Sequence, residues 1–218
     1  MKRKSKIILF GTALVILSLV SLGFFNKPHE DSLNTADLIL EDNSVYLFLR
    51  GSETKLGGYA RMYNRYGGLA SHIALGVYKD SLTLYHLNTG HSRPLIAEGL
   101  ESFTSSEDES YNHLSVWKIK GMTAQKLDSI QSRIDHYQNQ KLRFDYQFDH
   151  TEDDALYCSE FVYQTLHTSF PKLFQDAFFL KEVPANHRFY LKKDTLYYLP
   201  VDFILDRQQL VELVFEWE

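Results

Sequence analysis

A single cysteine, Cys158, stands in a chain of 218 residues. No disulfide can form within such a chain, and no multi-cysteine zinc site can hold it together. Apolar burial must therefore do that work. The composition supplies the material: 44% of side chains are apolar, and 15 Phe with 14 Tyr give bulk to a core. The length suits one domain of ordinary size, and the composition excludes disordered and collagen-like chains.

The N-terminus reads as an address. Lys2, Arg3, Lys4 and Lys6 precede an uncharged apolar run from Ile7 to Phe25, as in a signal peptide or a single membrane anchor. Ser21 and Gly23 offer the small residues of a cleavage site, and the positive-inside rule puts the rest of the chain across the membrane. The expected location is thus the cell envelope, either anchored or released. No cysteine follows the run directly, which excludes a lipid-modified cysteine there. The expected organisation is 1–25 signal or anchor, 26–36 tether (NKPHEDSLNTA), and 37–218 a single domain. Those four cations belong to a total of 23 Lys and Arg, so 19 remain against 28 Asp and Glu. A domain that acidic repels polyanions, and nucleic acid is not an expected partner.

Short alternating stretches predict strands at Asp37 to Leu40 and Val45 to Arg50, separated by the Asp42-Asn43 turn signal. Gly51 to Gly68 reads as loop with a short helix. A hairpin follows, with Ser71 to Val77 and Leu82 to Leu87 around Tyr78-Lys79-Asp80. His113 to Ile119 is another strand. Leu127, Ile130, Ile134 and Tyr137 mark the buried stripe of an amphipathic helix over Thr123 to Gln140. A second helix is expected from about Ala155 to Leu166, and strands recur at Thr195 to Leu199 and Leu210 to Phe215. The class is α+β, a small antiparallel sheet with a few helices.

Outside the cytoplasm a cysteine usually serves a disulfide, so a lone Cys158 is either a small buried hydrophobe or a reactive thiol. Asp153-Asp154 stands where an N-cap would, placing Cys158 in the first helical turn, where amide dipoles lower a thiol pKa. Cys158, Val162, Thr165 and Leu166 share one inward face. A catalytic thiol needs a base and a group to orient it. A three-residue loop at 78–80 sets 77 opposite 81 and His72 opposite His86, close enough for one imidazole to hydrogen-bond the other. A two-residue loop would put them on opposite faces. His91 and His113 are alternatives for the orienting group. Asp145, Asp149, Glu152, Asp153 and Asp154 read as a solvated acidic turn, with calcium binding as the alternative. Arg50, Arg61 and Arg65 read as surface charge, with a substrate carboxylate as the alternative.

These residues carry a resemblance. SHIALGVY (71–78), LYHLN (84–88), FDYQFD (144–149) and YCSEFVYQ (157–164) together resemble the circularly permuted papain-like hydrolases. They form the YiiX/YaeF-type branch of the NlpC-like superfamily, which is similar to the lecithin:retinol acyltransferase group. Ala36-Asp37-Leu38-Ile39 resembles that domain's opening, with Ala in place of the usual Gly. The resemblance implies a permuted papain-like fold with Cys158 as nucleophile, His72 as base and His86 as the orienting group. Tyr157 and Glu160 match the family string as supporting residues. It implies acyl transfer through a thioester, with no cofactor and no metal needed. Expected substrates are cell-wall or other peptide amides, or lipid acyl groups. A catalytically silent ligand-binding module and a lipid acyltransferase are the alternatives.

Overall fold

The computed structural model describes residues 35–89, 92–105, 111–148, 150, 152 and 154–218. The segment 1–25 and nearly all of the tether lie outside the described residues, as do Asp149, Asp153 and His91. Among the described residues no helix is long and apolar enough to cross a membrane.

The chain is α+β, as its patterning implies. Five strands of the main sheet are β1 (Ser44–Ser52), β2 (His72–Lys79), β3 (Ser81–Leu87), β4 (Leu95–Glu98) and β5 (Tyr111–Ile119). Two short pairs follow, β6 (Arg143–Phe144) with β7 (Ala155–Leu156), then β8 (Phe179–Glu182) with β9 (Thr195–Tyr198). The last strand, β10 (Val211–Trp217), returns to the main sheet, whose order is β10-β5-β1-β2-β3-β4 with antiparallel pairing throughout. The helices are α1 (Lys55–Arg61), α2 (Leu100–Thr104), α3 (Ala124–Asn139), α4 (Cys158–Leu166) and α5 (Ala185–Leu191).

β1 is central, and every one of its residues is buried. This is why it reads as a continuous apolar run rather than an alternation. On one face Leu47, Leu49, Ile73, Leu75 and Trp117 pack against the stripe of α3 and against Phe161, Val162 and Leu166 of α4. On the other, Phe48 meets Phe103 of α2 edge-on at 6.5 Å between ring centroids. Thr123 is the N-cap of α3, its side chain accepting from the Lys126 N–H. Asp202 is wholly buried and accepts from the N–H groups of Arg65, Tyr66 and Gly68, fixing the loop that leads into β2.

Three local expectations need correction. Asp37 to Leu40 forms no strand, because both edges of β1 are already taken by β2 and β5, and Ile39 is left exposed. The hairpin pairs Tyr78 with Leu82 and Lys79 with Ser81, so it turns on Asp80, one residue later than the expected centre, with Asp80 at φ 62°. Asp tolerates that left-handed conformation better than the flanking residues do. The third correction concerns the cysteine helix. Ala155–Leu156 is a strand, and α4 starts only at Cys158 with Tyr157 as its N-cap. Asp154 is not a cap: Arg143 holds it at 3.0 Å.

Candidate active site

The shift of the hairpin loop by one residue moves the register by two. His86 now faces Ala74's position across the pair rather than His72's, yet parity is kept and both imidazoles stay on one face. They meet diagonally. His72 Nε2 lies 2.8 Å from His86 Nδ1, with the rings nearly perpendicular at 83°. On its far side His86 Nε2 lies 2.8 Å from Glu98 Oε1, supplied by the next strand, β4. Phe103 covers both rings, at 6.0 Å from His72 and 5.2 Å from His86. His86 is buried, while Glu98 and His72 are half-buried.

This chain of contacts fixes protons. An ionised carboxylate only accepts, so His86 Nε2 carries the hydrogen towards Glu98. In neutral His86, Nδ1 is then the acceptor, and His72 Nε2–H donates to it. His72 Nδ1 is left with a lone pair. Burial, followed by the nearby charges of Arg50 and His86, holds the His72 pKa well below the usual histidine range. The ring is a neutral base near pH 7.

Cys158 is the first residue of α4, buried and free of any disulfide. β3 pairs with β2 only from Leu75 onward, and the N–H of Ile73, the residue after His72, faces the Cys158 sulfur. The backbone N–H groups of Cys158 and Ser159 face it as well. No hydrogen bond joins the sulfur to the His72 ring in this structure. The expected lowering of the thiol pKa is overturned: burial pushes it up, and it outweighs those backbone amides and Arg50, which all favour the thiolate. The resting pair is therefore neutral thiol and neutral imidazole.

Arg50 corrects another expectation. It is not surface charge but a buried guanidinium, paired across β1 and β2 with His72. It donates to the Phe103 carbonyl, and its cation lies over the rings of Phe103 at 4.4 Å and Tyr111 at 4.6 Å. The structure thus places a fixed positive charge beside both candidate reacting groups. Arg61 and Arg65 have local work instead: Arg61 donates to the Ser52 carbonyl, and Arg65 to that of Asp176.

Tyr157 and Ser159 flank the thiol and act as anchors. Tyr157 Oη accepts from the Leu199 N–H at 2.8 Å, and Ser159 Oγ donates to the Leu199 carbonyl at 2.7 Å. Glu160 is buried and holds His150 at 2.5 Å, tying the helix start to the preceding loop. His113 is not an alternative orienting group. It sits on β5, beyond β1 from β2, with its Nε2 at 3.2 Å from Ser115 Oγ. The acidic turn is partly neutralised, since Arg143 pairs with both Glu152 and Asp154, and Asp145 accepts from the Gln147 N–H.

No family model matches the sequence, and no curated protein matches it. A solved structure does: the metalloprotein YiiX from Escherichia coli O157:H7, at a TM-score of 0.63 and 13% identity, over 82% of this chain and 100% of that one. The fold is that of YiiX. At this identity the likeness extends to the architecture alone, so the YiiX-like fold locates the site without assigning its chemistry.

Proposed function

We propose that the chain is a thiol hydrolase of amide bonds, with esters as the easier substrates, built on a permuted papain-like fold and acting in the cell envelope. One observation carries this reading: the Glu98–His86–His72 chain leaves a lone pair on His72 Nδ1, and the N–H of the next residue, Ile73, faces the Cys158 sulfur. A merely structural histidine pair has no need of a tautomer fixed by a terminal carboxylate.

In this reading His72 Nδ1 takes the proton of Cys158, and the sulfur's electron pair forms a bond to the substrate carbonyl carbon. Carbonyl electrons move onto oxygen, where amides at the start of α4 stabilise the charge. Collapse breaks the carbon–nitrogen bond, and His72 returns its proton to the leaving amine. Water, deprotonated by the same imidazole, then splits the thioester. Burial disfavours both ions, and Arg50 opposes the imidazolium while favouring the thiolate, so proton transfer accompanies attack on the carbonyl rather than passing through a standing ion pair. The envelope location rests on the N-terminal apolar run, and peptide or lipid acyl groups are the substrate classes it would meet there.

YiiX is described as a metalloprotein, yet Cys158, His72 and His86 make a poor metal set. Both nitrogens of His86 are already engaged, and His72 Nε2 with them. No step here is routed through a metal.

The test is an activated ester such as p-nitrophenyl acetate with intact-mass detection. The expected result is one acyl adduct that disappears on alkylating Cys158, and no turnover in Cys158→Ala. Unchanged hydrolysis in that variant would overturn the reading. Ligand binding without turnover in either form would favour the binding module.

A further inference from the structure

We propose a second site, independent of the thiol, at which His113, Glu216 and Glu218 bind one divalent transition-metal ion such as Zn²⁺. The ligand atoms of these three side chains lie within 4.8 Å of one another. His113 Nδ1 is buried without a hydrogen-bond partner, and it faces Glu218 Oε1 at 3.8 Å. A buried nitrogen left unpaired is costly, so its orientation towards two carboxylates asks for an explanation.

The backbone makes the arrangement. His113, Ser115 and Trp117 lie on one face of β5. Along β10, Leu213 pairs with Trp117, and the register then slips between Leu213 and Phe215. Beyond the slip Glu216 pairs with Ser115 and Trp217 with Leu114. Without this bulge the aromatic residues Phe215 and Trp217 would occupy that face. With it, Glu216 and Glu218 do, beside His113. Bulges re-aim side chains in this way near functional sites.

The other nitrogen is prepared for the task. Ser115 Oγ accepts from Trp117 Nε1–H at 3.1 Å and keeps a second lone pair for His113 Nε2–H at 3.2 Å. With the hydroxyl accepting there, Nδ1 is the nitrogen presented as a ligand. One imidazole and two carboxylates suit a borderline ion, with water completing the shell. Ligands of tetrahedral zinc lie about 3.4 Å apart at the usual bond lengths. The exposed glutamates need only rotate to close the remaining distance. The ion would tie the edge strand β10 to β5.

The test uses the full chain and Co²⁺ or Zn²⁺ alone. Expected are one bound Co²⁺ with a nitrogen- and oxygen-type visible spectrum, and a Zn²⁺-dependent rise in melting temperature. Glu216→Gln with Glu218→Gln, both exposed and so harmless to folding, should weaken binding by more than about tenfold and abolish that rise. Equal affinity in wild type and variant would overturn the proposal, as would no binding at all. A sulfur-to-cobalt charge-transfer band would place the ion at Cys158 and overturn it too. None of these outcomes depends on hydrolytic activity, so this site and the thiol chemistry fail or stand separately.

Discussion

Two histidine clusters sit on the same sheet, and they are built in opposite ways. On β2, β3 and β4 the chain His72–His86–Glu98 engages both nitrogens of His86 and ends on a carboxylate, with His72 Nδ1 left open at its head. On β5 and β10, His113 is satisfied at one nitrogen and open at the other, with two carboxylates in view. In the first cluster a carboxylate two links away decides which nitrogen of His72 keeps its lone pair; in the second the carboxylates face the open nitrogen itself. The same residue type is thus given different chemistry by its second contact.

The sharpest way to break the first cluster is Glu98→Gln. The neutral amide can donate to His86 Nε2 as readily as accept from it, so the tautomers are no longer fixed and a proton can sit on His72 Nδ1. Loss of the correct tautomer in a comparable relay costs on the order of 10⁴ in rate. A loss of about 10³–10⁴ in kcat/KM, with Glu98→Asp recovering part of it, is the expected result. Equal activity in the Gln variant would remove the relay from the mechanism.

Stability separates the clusters next. His86→Leu removes a hydrogen-bond partner from both Glu98 and His72, and should cost about 2–3 kcal/mol in urea unfolding. His113→Leu in metal-free protein removes a nitrogen that already lacks a partner, while Ser115 keeps Trp117. Its cost should stay below about 1 kcal/mol. Similar values for the two would erase the distinction.

Acid gives a third comparison. Folding lowers the His72 and His113 pKa values, so between the folded values and about 6.5 the unfolded chain binds more protons. Stability from these groups is complete above that pH and declines as pH falls towards the folded values. His72→Asn should flatten the larger part of this slope, and adding His113→Asn the rest. The smallest effect concerns Arg50. Its charge favours the thiolate, so Arg50→Met should move the pH midpoint of iodoacetamide alkylation further up from an already raised value. A downward movement would show that the guanidinium does not act on the sulfur.

Much of this was legible in the amino-acid sequence, and the failures have physical causes. The His72–His86 meeting depends only on loop parity, so it survives a register wrong by two residues. Glu98 was missed because its strand joins β3 through residues 88–94, where no local periodicity announces the pairing. The start of α4 was misplaced because acids before a helix look like caps, whereas Arg143 claims Glu152 and Asp154. Burial of the thiol outweighs the helix-end amides, a balance that spacing alone does not reveal. Arg50 looked like surface because it is charged. Its place after Tyr46 and Phe48, on the same face of a central strand, was the signal that it is inside.

The grip of Tyr157 and Ser159 on Leu199, and of Asp202 on the loop before β2, has a consequence for how the molecule comes into being. A ribosome delivers His72, His86, Glu98 and Cys158 well before it delivers residues 199–202. Until that stretch emerges, neither the start of the cysteine helix nor the entry to the histidine strand has its anchor. Cys158 and His72 therefore lack these anchors until then, and chains stalled before residue 199 should show Cys158 alkylated like a free thiol. The two anchors are thus among the last parts of the fold to be made.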